Sequence, residues 1–123
     1  MPRLKILSLV VVAVLVAACG GDEPPATACD PDGTTLRISA DNLEFDTECL
    51  AAPDGEAFTI DFDNADDGTQ HNVAIYDGDE NLFRGDIIDG GDSTTYDVGA
   101  LDAGSYTFQC DIHPQMDGAF IVG

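Results

Sequence analysis

Residues 57–64, AFTIDFDN, alternate strictly. Phe58, Ile60 and Phe62 fall on one face of an extended chain, and Thr59, Asp61 and Asp63 on the other. A period of two buries one side of a strand and wets the other, and a helix cannot use it. The pattern recurs along the chain. TLRIS sets Leu36 and Ile38 against Arg37, and NVAIYD turns Val73 and Ile75 inward. SYTFQC puts Tyr106, Phe108 and Cys110 on one face. STTYDV is β-prone, LEFDTE is strand-like, and GAFIVG ends the chain. Between them lie PDGE, NADDGT, DGDE, DGGD and LDAG, all rich in turn formers. Short strands parted by turns predict an all-β sandwich or barrel. Tyr106 follows the LDAG turn at the start of a late strand, the setting of a tyrosine corner in a Greek-key sandwich. A tyrosine packed in the core fits the same position equally well.

The first residues do not belong to that domain. Arg3 and Lys5 precede an apolar run that ends on small residues at Cys19. A charged start, a short apolar centre and a small-residue site make a secretory signal peptide, here residues 1–18. Ile6 to Ala18 supplies 13 residues, short of the roughly 20 that a membrane-spanning helix needs. VAAC at 16–19 resembles the bacterial lipobox, which implies that Cys19 is lipidated and becomes the new N-terminus. Lipid on that residue anchors the protein to a membrane. Gly20 carries no acidic retention signal, which points to an outer membrane where one exists. Residues 19–33, rich in Gly, Pro and acids, read as a tether. Residues 34–123 are left as one domain with a modest core.

All 24 acidic residues lie after Cys19, where only Arg37 and Arg84 are basic, so the mature chain carries 2 − 24 = −22. Such a surface repels nucleic acid and anionic headgroups and attracts cationic partners in a salt-dependent way. The acids are scattered, so they mark no single docking face, and solubility or a salty habitat explains them as readily.

Export places the remaining cysteines in an oxidising compartment. Cys29 and Cys49, 20 residues apart, can pair and staple the domain's start to its second strand, a link worth about 3 kcal/mol. That pairing leaves Cys110 alone, which suggests a metal or a reactive role. Pairing of Cys110 with Cys29 or Cys49 is the alternative that the sequence leaves open.

The neighbours of Cys110 favour metal. CDIHPQM places His113 and Met116 at a C-x-x-H-x-x-M spacing in a tight loop, so that three donors converge. His71, the only other histidine, opens NVAIYD and can reach the same strand end. Thiolate and thioether are soft donors and imidazole is borderline. Two His, one Cys and a weak Met form the blue-copper set. Zinc prefers four strong ligands. A Cys–His nucleophile would need an orienting partner and an oxyanion hole, and neither is readable here.

HNVAIY and YTFQCDIHPQMDGAFIV, taken together, resemble the cupredoxins, blue-copper proteins of the plastocyanin and amicyanin type. The two residues between His113 and Met116 look most like the amicyanin loop. The resemblance extends over most of residues 34–123 and implies a Greek-key β-sandwich with one copper near one end. It implies His71, Cys110 and His113 as equatorial ligands and Met116 as the long axial one. It implies Asn72 as the residue that helps hold the thiolate, and Pro114 as the stiffener of the His113 loop. It further implies electron exit at the edge of His113, among Pro114, Gln115 and Ala119. With all four positions filled by protein, no open site remains for a substrate, and two histidines cannot build the further copper sites of oxidases or nitrite reductases. The expectation is a monomeric, membrane-tethered electron carrier outside the cytoplasm, with a cationic redox protein such as a cytochrome domain as partner. A copper storage or delivery module is the alternative.

Overall fold

The computed structural model describes residues 29–123. The signal peptide, Cys19 and residues 20–28 of the tether lie outside the described residues. Nine strands form two sheets: β1 (Thr35–Asp41), β2 (Glu44–Phe45), β3 (Cys49–Ala52), β4 (Phe58–Asn64), β5 (Ala74–Asp77), β6 (Glu80–Arg84), β7 (Ser93–Val98), β8 (Gly104–Gln109) and β9 (Asp117–Val122). One sheet has the order β2-β1-β4-β7, the other β3-β9-β8-β5-β6. β1 runs parallel to β4 and β3 parallel to β9, while the remaining pairs are antiparallel. The molecule is a sandwich, one of the two forms that the alternation predicts and the one that the cupredoxin resemblance implies.

The inner faces of β1, β4, β5 and β8 are those read from the sequence, and β9 adds Phe120 and Val122. Leu36, Ile38, Phe58, Ile60 and Phe62 from one sheet meet Ile75, Phe108, Phe120 and Val122 from the other, all buried. Phe45 and Phe58 lie edge-on or tilted against Phe108 and Phe120 across the interface, at 5.5 and 5.6 Å between ring centres. Each such side chain contributes about 2–3 kcal/mol on burial, and together they make the two sheets one body.

Three elements depart from the sequence reading. LEFDTE yields only the two-residue β2, because Asp46 turns back to exchange bonds with Ser39 through its N–H and its carboxylate. The next residues, CLAA, form a strand in the opposite sheet. They carry no alternation, since Leu50, Ala51 and Ala52 are all covered. ENLFR is an edge strand in which Leu82 faces solvent. Tyr106 makes the corner bond: its hydroxyl donates to the carbonyl of Asp102 at 2.7 Å. Cys29 and Cys49 are joined in a disulfide, and Cys110 is free and buried.

Candidate metal centre

Strand pairing assembles the site. β5 and β8 are antiparallel, with Ala74 opposite Gln109. The residues just before β5 therefore abut those just after β8, and this brings residues 71–73 beside 110–111. His71 does not begin the strand, as the sequence suggested. It stands three residues ahead of β5 and exchanges backbone bonds with Ile88, at 3.1 and 2.9 Å. That isolated bridge fixes its backbone, and its side chain is fully buried.

The loop from Cys110 to Met116 is closed twice. The Met116 N–H donates to the His113 carbonyl at 2.8 Å, making a β-turn with Pro114 at its second position, where its fixed φ suits the turn. The Cys110 N–H donates to the Met116 carbonyl at 3.0 Å. These bonds set Cys110 and His113 in one rigid ring, and Met116 is buried at its end.

Three donor atoms then face one another. Cys110 Sγ lies 3.6 Å from His71 Nδ1 and 3.8 Å from His113 Nδ1, and the two nitrogens are 3.1 Å apart. A metal at about 2.0 Å from imidazole and 2.3 Å from thiolate, in their plane, sets N···N near 3.5 Å and S···N near 3.7 Å. The triangle matches that geometry to a few tenths of an ångström. The proton positions agree. His71 Nε2 lies 2.7 Å from Asp66 Oδ2, and a carboxylate only accepts. Nε2 thus carries the hydrogen and Nδ1 presents a lone pair to the centre. Two borderline imidazole nitrogens and one soft sulfur at this spacing fit one copper ion.

Around the triangle lies a hydrogen-bonded shell. Asn72 accepts the Asp111 N–H at 2.8 Å and donates to the Asp111 carboxylate at 2.8 Å and to the Gly85 carbonyl at 3.0 Å. Its side chain therefore holds the residue after Cys110, not the sulfur itself. Tyr76 donates its hydroxyl to the Asp111 carboxylate, and Arg84 Nε donates to it at 2.9 Å. Burial alone would raise the Asp111 pKa. The bonds from Tyr76, Asn72 and Arg84 outweigh it and hold the carboxyl below its usual range. On the other side, the bond from His71 and the Leu43 N–H hold Asp66 low as well. Asp66, Asp111 and the Arg84–Tyr76 pair are invisible to spacing arguments. An acid five residues before a histidine is unremarkable in so acidic a chain.

With this geometry in place, comparison with known proteins is direct. The cupredoxin-like domain profile matches residues 7–122. The chain belongs to the cupredoxin-like family. Among curated proteins none matches it significantly. Among solved structures it resembles auracyanin from the photosynthetic bacterium Roseiflexus castenholzii, with 24% identity and TM-score 0.65, covering 74% of this chain and 98% of that one. Auracyanin A of Chloroflexus aurantiacus, a "blue" copper protein, gives 21% identity and TM-score 0.64 over 72% of this chain and 98% of that one. Amicyanin from Paracoccus versutus gives 23% identity and TM-score 0.54 over 75% and 84%. At these identities the likeness speaks to the fold. As a cupredoxin the chain places its two histidines and Cys110, the one free cysteine among the described residues, together at one end of the sandwich.

Proposed function

We propose that this cupredoxin is a type 1 copper protein that carries single electrons between redox proteins outside the cytoplasm. The observation that carries the reading is the triangle of His71, Cys110 and His113, closed by a rigid loop and buried except at one edge. Copper bound there would supply a one-electron Cu(II)/Cu(I) couple. The chain's part is to keep the ligands still, so that little rearranges when the charge changes. Met116, bonded through its backbone to both Cys110 and His113, would supply a thioether as the fourth donor.

The exposure pattern supports a path for the electron. His71 and Cys110 are fully buried, and His113 is half-exposed. Ile112, Pro114 and Gln115 surround it, uncharged and exposed, so a partner can approach the His113 edge closely. Beyond that tip the surface is acidic. A mature charge of −22 favours a cationic redox protein such as a cytochrome domain, with association weakening as salt rises. Lipid at Cys19 would hold the monomer at the extracytoplasmic face of a bacterial membrane, in the periplasm or at the cell surface, with residues 19–33 as its tether.

Adding Cu(II) to the purified mature chain tests the reading. Intense thiolate-to-copper absorption is expected, abolished in Cys110→Ser and altered in Met116→Leu. A colourless protein sinks it. A fast, reversible one-electron couple is the expected electrochemistry. Ready loss of Cu(I) to an acceptor protein would favour storage or delivery instead.

A further inference from the structure

Every buried polar or charged residue described lies between 64 and 72: Asn64, Asp66, His71 and Asn72. Asn72 serves the Cys110 side of the site. Asn64 and Asp66 form a second construction on the His71 side. Asn64 donates to the carbonyls of Thr69 and Ile88, at 2.8 and 3.1 Å, and accepts the Asp66 N–H at 3.1 Å. Gly90 packs so tightly on this segment that a Cβ there would collide with the Asp66 carbonyl. The backbone of Asp66 is thereby fixed. Its Oδ2 takes two donors, the Leu43 N–H at 3.0 Å and His71 Nε2 at 2.7 Å.

Leu43 is an unusual donor. Asn42 and Leu43 both have positive φ, 53° and 60°, in the turn between β1 and β2. Two-residue turns of this kind favour Asn-Gly, and a leucine at the second position is strained. The left-handed leucine turns its N–H onto Asp66. A strained turn, a buried amide and a packed glycine thus converge on one carboxylate, and that carboxylate bears on a single ring nitrogen.

We propose that Asp66 is the positioning residue that fixes His71 as a copper ligand and biases the bound ion toward Cu(II). The proposal rests on the copper reading above. A carboxylate on the remote nitrogen of a ligating histidine fixes the tautomer and ring orientation and raises the basicity of the ligand. Its negative charge stabilises the more positive oxidation state. The reduction potential is consequently lower than the same four ligands would give beside a neutral acceptor. The carrier is set to hand its electron on readily.

Asp66→Asn separates charge from geometry. Both donors meet the same oxygen, so an amide oxygen can accept both bonds while the charge disappears. In the copper-loaded mature chain, Asp66→Asn should keep the blue absorption. Its preference for Cu(II) over Cu(I) should fall at least tenfold, a rise in potential of about 59 mV for one electron. Asp66→Ala should raise the potential further and weaken Cu(II) retention roughly 10- to 100-fold. An Asp66→Asn protein with intact absorption and a change below threefold would overturn the proposal. A measurement without copper or variants separates it from the copper reading. Nitrogen-15 NMR of the metal-free wild-type chain should show His71 protonated at Nε2 and bare at Nδ1. The opposite tautomer refutes the role of Asp66. Failure of the wild type to turn blue refutes the copper reading instead.

Discussion

The two ends of the sandwich are built on different physics. From Phe58 and Phe120 through the middle of the molecule, the interior is apolar and filled mainly by side-chain volume. At the other end, within residues 64–72, four polar side chains are buried and satisfied by hydrogen bonds. Apolar packing is non-directional and tolerates small shifts at modest cost. Hydrogen bonds in a dry interior are directional, and a lost partner leaves its mate unsatisfied. The difference separates holding the molecule together from holding three donor atoms to a few tenths of an ångström. Substitutions in the first region should cost stability and spare the copper, whereas those in the second should disturb the copper out of proportion to their stability cost.

The largest stability effect belongs to the apolar region. Phe120 is fully buried and packs on Phe58, so Phe120→Ala should cost about 3–5 kcal/mol. Urea unfolding reads the loss. Below the new transition the copper spectrum should match the wild type, since the Phe120 ring packs on Phe58 in the apolar region. A changed spectrum in the folded variant would break the comparison at its first step.

The disulfide comes next. Cys29–Cys49 ties the domain's start to β3, which pairs with β9 at Ala119. Its closed loop spans 20 residues, so removing both cysteines should cost about 3 kcal/mol, chiefly through a less constrained unfolded chain. Mass mapping of the non-reduced protein should recover the two joined, and the potential of the double variant should be unchanged.

Asn64→Ala sharpens the contrast from the polar side. It leaves the Thr69 carbonyl and the Asp66 N–H without their partner, and the Ile88 carbonyl with the His71 N–H alone, a loss of about 1–3 kcal/mol. That is smaller than the Phe120 effect, yet its consequence for the site should be larger. Freed from Asn64, the 65–70 loop no longer presents Asp66 squarely to His71. The visible spectrum should broaden and Cu(II) be held more weakly, measured by competition with a chelator. A crisp wild-type spectrum would show that Gly90 and Leu43 alone suffice to hold Asp66.

The sequence reveals these two regions unequally. Alternation locates Phe58, Ile60, Phe62 and Phe108, because burial on one face of a strand leaves a period that needs no knowledge of neighbours. The Cys110–His113–Met116 spacing is local, and His71 is legible because histidine is so scarce in this chain. β3 escapes because small residues covered on both faces do not alternate, and β6 because an edge strand need not. Asp66, Asp111 and Asn64 escape for a deeper reason. Their meaning lies in partners 5 to 39 residues away, and among 24 acidic residues nothing local distinguishes the two that serve the site.

The smallest expected effect tests where the polar region ends. Leu43 is 47% exposed, so its side chain adds little to packing, while its left-handed backbone costs about 1–2 kcal/mol. Glycine removes that cost but brings back about 0.5–1 kcal/mol of chain entropy in the unfolded state. Leu43→Gly should therefore raise stability by about 0.5 kcal/mol, read as a small shift of the urea midpoint with unchanged slope. The N–H stays in place, so the bond to Asp66 and the His71 tautomer should persist. A loss of stability, or a potential that moves with this substitution, would extend the polar region's influence to the exposed leucine itself. The turn would then belong to the site through its side chain, in the surface cleft that Leu43 lines together with Gln115 and Met116.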